Sequence, residues 1–390
     1  MDKKQMNCVA PVPYLALALF LMLMVSPLSA DRPVAAIKGG DLYTITSGII
    51  RNGTILIKDG KISRIGQNIE VPKNARVIDA RGKVVMPGLV AATAEVGVSG
   101  SANINKIADS LDPFDYNVSL TTYGDLDNML LREPVAENVS LSRSLWMRKT
   151  NFLQNLRKAR DYLQKLDADK GAPDKAKRPQ EIKKPSGVDA YIRLLRRQLP
   201  ARLSGTTAAD ILGTLELVDE FGIRIIIEDA IEGWIVAEEI AKRNVSVIIT
   251  PRQKRRPNED ISGPSGSTLE NAAILKKAGV KFAVVPPDAS FTTWGVAGRD
   301  LMALPMEAAF AVSGGLDEQT ALEAITITAA EIIGVADRVG SLQVGKDADI
   351  IILDGHPFHH KTFVELTLIN GKILYDKKKS IYFSHITPDD

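Results

Sequence analysis

The stretch PGLVAATAEVG, residues 87–97, sets Thr93 and Glu95 two apart, so in an extended chain both side chains leave the same face. Alternating positions at a strand end are where many hydrolases put two histidines on a metal ion. Here a hydroxyl and a carboxylate stand there instead. The 390-residue chain has four histidines, His356, His359, His360 and His385, all far in sequence from this segment. Catalytic zinc is normally held by imidazole nitrogens, with or without a carboxylate, leaving one position for water. Hydroxyls are poor neutral ligands for zinc, and an all-oxygen set favours magnesium, calcium or manganese. Without a metal, water keeps a pKa of about 15.7 instead of about 7, and attack on an amide at neutral pH lacks its nucleophile.

Other chemistry is thinly represented. The one cysteine, Cys8, lies in the N-terminal apolar segment, which leaves the rest of the chain without a disulfide or a thiolate nucleophile. There is no G-x-S-x-G elbow, no G-x-x-x-x-G-K-[ST] loop and no G-x-G-x-x-G opening a helix after a strand. The run His356-Pro-Phe-His359-His360 could hold zinc or nickel, but in a surface turn a structural or adventitious role is the expectation.

Lys3 and Lys4, the apolar run Tyr14 to Val25 and SPLSA at 26–30 have the layout of a secretory signal peptide. The apolar run is short for a membrane span. Residues 1–30 are therefore read as a signal peptide and the protein as exported, periplasmic or extracellular, with no membrane contact after cleavage; an uncleaved anchor stays open. Removing Asp2, Lys3 and Lys4 takes the formal net charge from +2 to +1. So small a net charge gives no electrostatic reason to expect nucleic acid.

These candidate groups need elements to position them. Residues 42–86 alternate like β-structure around Asn52-Gly53 and Asp59-Gly60, and 339–376 repeat the style with Asn370-Gly371. Two β-rich ends predict one small composite β-sandwich from 31–86 and 337–380. Between them, β-branched runs alternate with helical stretches, the pattern of βαβ units around a parallel sheet. Five parallel strands are predicted, near 86–92, 200–204, 223–228, 245–250 and 280–286. A closed barrel needs eight, so residues 87–336 are expected to form a reduced or incomplete (β/α) TIM-like barrel. A long amphipathic helix from about 141 and a charged, proline-bearing linker form an insert around 141–195. Asp317 is expected to cap one helix and Asp210 another.

The stretches ILIKDGKISRIG, VIDARGKVVMPGLV, LPARLSGTTAADILGTLELVDEFGIRIIIEDA and ALEAITITAAEIIGVADRVGSLQVGKDADIIILDGHPF together resemble the amidohydrolase superfamily in its imidazolonepropionase-like branch. The likeness covers most of 35–90 and 195–378. It implies a barrel whose one or two divalent metals, usually zinc, activate water against carbon–nitrogen bonds, not specifically those of a peptide backbone, as in cyclic amides and dipeptides. The family's PGLID-x-H-x-H falls on this chain with Ala91 for the aspartate, Thr93 for the first histidine and Glu95 for the second. A later histidine pair falls on Ser204 and Thr206, a metal-side polar group near Glu228 and Asp229, and the late aspartate on Asp288.

On this reading the inherited metal site is degenerate at Thr93, Glu95, Ser204 and Thr206, and no cofactor is expected. Glu95, Asp229 and Asp288 are the weak metal candidates, and Asp288 is the one catalytic candidate, with a turn cap as its alternative. Glu95 is read as a strand-end carboxylate paired with an arginine or a backbone amide, and Glu228-Asp229 as helix capping or ligation. The expected protein is a non-catalytic subunit or binding module. Its partner would be a homologous active amidohydrolase subunit or a second copy, with a small-molecule ligand also open. The alternative is an active metal-dependent amidohydrolase with an unusual carboxylate site.

Overall fold

The computed structural model describes residues 35–92, 115–120, 130–138, 145–171, 182–287 and 303–379. The predicted leader and the positions Thr93, Glu95, Asp288 and His385 lie outside the described residues.

Strands from both ends of the described chain share one eight-stranded sheet. β1 (Ala35–Tyr43), β2 (Ile49–Lys58), β3 (Lys61–Gly66), β4 (Arg76–Asp79) and β5 (Val84–Pro87) join three strands from near the C-terminus. Asp59-Gly60, both at positive φ, turn β2 into β3 as a hairpin should. Asn52-Gly53 does not turn the chain. It sits inside β2, where the β1–β2 register slips around the Gly40–Gly53 pair. A Cβ on Gly53 would approach the Leu42 side chain to 2.7 Å at Cγ, so the Asn-Gly pair makes a close crossing there, not a turn.

The predicted barrel strand at 86–92 is also corrected. β5 ends at Pro87 and pairs with β1 on one side, and residues 88–92 form no strand. Ala92 nevertheless packs against the inner face of the second sheet.

That second sheet has the order β11-β10-β9-β8-β7-β6. β6 (Asp115–Leu120) is antiparallel to β7 (Leu130–Asn138), and β7, β8 (Ala201–Ser204), β9 (Ile225–Glu228), β10 (Ser246–Ile249) and β11 (Phe282–Val284) run parallel. β6 and β7 were not predicted; Pro134 and the charged positions in LLREPVAEN hide β7's strand pattern.

Helices cover one face of the parallel strands. α1 (Leu145–Gly171) contributes Phe152, Leu156 and Ala159 to the large core, and α2 (Asp189–Leu195) adds Tyr191 and Leu194. α3 (Ala208–Phe221), α4 (Ala237–Lys242) and α5 (Asn271–Lys277) follow β8, β9 and β10. α6 (Leu304–Ser313), α7 (Glu318–Ala324) and α8 (Ile327–Ile332) follow β11. Asp317 caps α7, accepting from the Thr320 N–H at 2.8 Å. At α3 the cap is Thr207, and Asp210 is its reciprocal partner three residues later, a capping box in place of the simple cap expected. Among the described residues no helix is long and apolar enough to cross a membrane. β12 (Ile350–Leu353), β13 (Val364–Ile369) and β14 (Lys372–Asp376) then return to the first sheet, where β12 pairs with β5.

Candidate functional site at the carboxyl ends of β8 and β9

Alternation along each parallel strand sorts its residues between two faces. In β8, Ala201 and Leu203 enter the helix-covered core; in β9, Ile225 and Ile227 do the same. Arg202, Ser204, Ile226 and Glu228 therefore share the opposite face. There Ile226 packs with Ile248, Ala283, Val285 and Ala92. The register pairs Arg202 with Ile226 and Ser204 with Glu228, so Ser204 and Glu228 form the last rung. Arg202 stands one rung deeper.

From that depth Arg202 donates through Nη2 to Glu228 Oε1. The arginine side chain is 4% exposed and the glutamate 24%, a nearly buried cation paired with a carboxylate that reaches solvent. Asp229, next in sequence, takes a left-handed backbone at φ 55°. Its Oδ2 accepts from Ser204 Oγ at 3.2 Å. Burial raises the Asp229 pKa, the neighbouring Glu228 charge raises it further, and the Ser204 hydrogen bond opposes both. Gly205 then lets α3 close onto the strands, since a Cβ there would stand 2.8 Å from Ile227 Cγ2 and 3.1 Å from Ile211.

Four residues beyond Glu228 lies a buried carboxylate. Glu232 accepts from the Ala208 N–H at 2.9 Å, the Gly266 N–H at 2.7 Å and Arg255 Nε at 3.0 Å. It ties the start of α3 to the loop after β10. Thr206 gives only its carbonyl to this region, accepting from the Glu232 N–H at 3.2 Å.

The structure thus brings Ser204, Glu228 and Asp229 together. The helix-capping reading of Glu228-Asp229 is corrected, because their carboxylates face Arg202 and Ser204. The three described histidines lie elsewhere: His356 Nε2 is 3.6 Å from Glu318 and its ring meets Tyr43, while the rings of His359 and His360 lie against each other. Arg202 and Glu232 escaped the sequence reading. A charged residue alternating with Ala201 and Leu203 in a buried parallel strand was the available signal for Arg202.

The amidohydrolase family profile matches residues 203–379, from β8 to the last described strand. Over that segment, a little under half of the chain, the sequence is similar to the amidohydrolase family. The imidazolonepropionase of Staphylococcus aureus strain JH9 is 40% identical over 78 residues, 20% of this chain and 18% of that protein. The chain therefore spans less than a fifth of the length of the curated relatives it matches. Among solved structures, an amidohydrolase from Thermotoga maritima MSB8 superposes with a TM-score of 0.70 at 22% identity, covering 88% of this chain and 100% of that one. A triazine hydrolase from Arthobacter aurescens reaches 0.50 at 15% identity, over 90% of this chain and 96% of that one. These neighbours share the fold.

Amidohydrolases are typically metal-dependent. The described strand-end residues of this chain do not fit a catalytic metal. Glu228 is already neutralised by Arg202, and a fixed guanidinium beside a ligand repels a dication. Ser204 supplies a neutral hydroxyl, a poor ligand for zinc. Among the described residues no three His, Cys, Asp or Glu side chains are grouped to hold a metal ion.

Proposed function

We propose that this amidohydrolase-fold chain has given up metal-dependent hydrolysis and serves, outside the cytoplasm, as a non-catalytic subunit or binding module. In this reading its barrel is reduced, and the mixed sheet is a composite sandwich domain built from both chain ends. One observation carries it: the Arg202–Glu228 pair fills the strand-end position with an internal cation. Export rests on the leader-like residues 1–30. The partner is a homologous active chain or a second copy, which would cover strand edges that a reduced barrel leaves open.

The test is metal content and turnover of the purified full chain, with cyclic amides and dipeptides as substrates, zinc added, then chelator. The expected result is less than 0.1 metal per chain by order of magnitude and no chelator-sensitive turnover. Stoichiometric zinc with turnover that chelator abolishes overturns the proposal. If Glu95→Gln or Asp288→Asn removes that turnover, the activity belongs to a carboxylate-based site. Copurification from the native host tests the partner, and a chain that runs strictly alone removes that part.

A further inference from the structure

We infer that Arg202 is the barrel's built-in replacement for a metal ion, and that its charge closes an oxygen-donor site for a hard divalent cation formed by Glu228, Asp229 and Ser204. The inference rests on the reading that hydrolytic metal binding has been lost, and it assigns that loss to one residue.

Strand register and one hydrogen bond bring the three groups to the same strand end. Ser204 and Glu228 are cross-strand partners on the last rung, and Asp229 turns back until Oδ2 lies 3.2 Å from Ser204 Oγ. Two carboxylates and a hydroxyl, completed by water, are the donor chemistry of magnesium, manganese or calcium, not of zinc. Such a set needs positive charge, and Arg202 supplies one unit of it from below.

Arg202 is poorly satisfied for an arginine placed to bridge the sheet. Its buried Nε–H has no hydrogen-bond partner, and the guanidinium is held by Glu228 from a single nitrogen. A purely structural arginine at this depth would be expected to have its donors met. What the position does satisfy is the charge of Glu228.

The experiment measures Mn²⁺ binding to the full chain by electron paramagnetic resonance and calorimetry. Four proteins are compared: wild type, Arg202→Met, Arg202→Lys and Arg202→Met with Glu228→Gln. Arg202→Met is expected to bind one Mn²⁺ at least about tenfold more tightly than wild type. Arg202→Lys, which keeps the charge, and the double variant are expected to stay at the wild-type level. Wild type binding Mn²⁺ as tightly as a folded Arg202→Met overturns the inference, as does tight binding by the double variant. If Arg202→Met does not fold alone, recovery of its thermal transition by Mn²⁺ supports the inference and no recovery overturns it. Failure here leaves an inactive wild type inactive. Metal-free hydrolysis by wild type would overturn the proposed function and leave this inference standing.

Discussion

Glu228→Leu should destabilise the protein far more than Arg202→Met, although each removes half of the same ion pair. Breaking a buried pair by deleting one partner costs about 3–5 kcal/mol, because the other charge stays buried without compensation. Which charge remains decides where in that range, or below it, the cost falls. After Glu228→Leu the survivor is a guanidinium whose side chain is 4% exposed, with Nε already unpartnered. A cost of about 3 kcal/mol follows, or about 6 °C in thermal midpoint for a chain longer than those that lose about 2–4 °C per kcal/mol. After Arg202→Met the survivor is Glu228, 24% exposed, which can turn to water while methionine packs beside Ile226. That change should cost about 1 kcal/mol or less. The double variant should approach wild type, giving a coupling of about 3–4 kcal/mol in the cycle. Scanning calorimetry with urea titration of all four proteins measures this. Equal losses from the two single variants, or a double variant that is merely additive, would refute the assignment of Arg202 as the buried, dependent charge.

Asp229→Asn should raise the thermal midpoint at pH 7, with the gain fading as pH falls below about 4. A carboxyl whose folded pKa is raised gives the folded state its advantage while protonated, below the unfolded value of 3.8, and loses it as pH rises through the folded value. Asparagine mimics the protonated form and accepts the left-handed backbone at this position; a gain independent of pH would remove this explanation. Glu232→Ala should cost about 3 kcal/mol, since it strands the Ala208 and Gly266 N–H groups and Arg255 at once. Limited trypsin digestion should then accelerate after Lys254 and Arg255, and an unchanged digestion rate would argue that Glu232 does not hold this loop.

The alternation of the parallel strands was legible because a sheet buried on both faces demands β-branched residues throughout, and 201–204, 225–228, 246–249 and 282–284 all lie inside predicted runs. What failed was assignment between sheets. Val84–Pro87 looks the same whether it enters a barrel or lies between β1 and β12, because the choice is made by partners more than 260 residues away for β12 and only about 40 for β1. Asn52-Gly53 failed for a related reason: positive φ serves a bulge as well as a turn. At the site, matching positions to a family pattern located Ser204, Glu228 and Asp229 but passed over Arg202. A pattern of expected ligands has no place for a cation, so the arginine paired with Glu228 was the residue the pattern did not contain.

Among the described residues, four carboxylates whose side chains are at most 24% exposed carry an arginine: Glu228 with Arg202, Glu232 with Arg255, Glu307 with Arg252 and Asp347 with Arg338. They are not equivalent. Glu307 is fully buried and also accepts from the Arg252 N–H at 3.3 Å, fixing the loop after β10 to α6. Glu232 has three donors from three segments, and its arginine is partly open to water. In both pairs the carboxylate is the buried member and the arginine the exposed one, which is how a loop is pinned to a core. Arg202–Glu228 reverses the order, with the cation inside and the carboxylate at the rim. A charge carried into the interior on a strand, where an apolar residue would pack at less cost, pins no loop. On the proposed reading its effect is on the field at the strand ends, where a neighbouring aspartate and hydroxyl would otherwise present oxygen to a cation. Among these four pairs only Arg202–Glu228 buries the cation more deeply than the carboxylate, the feature on which the proposed function rests.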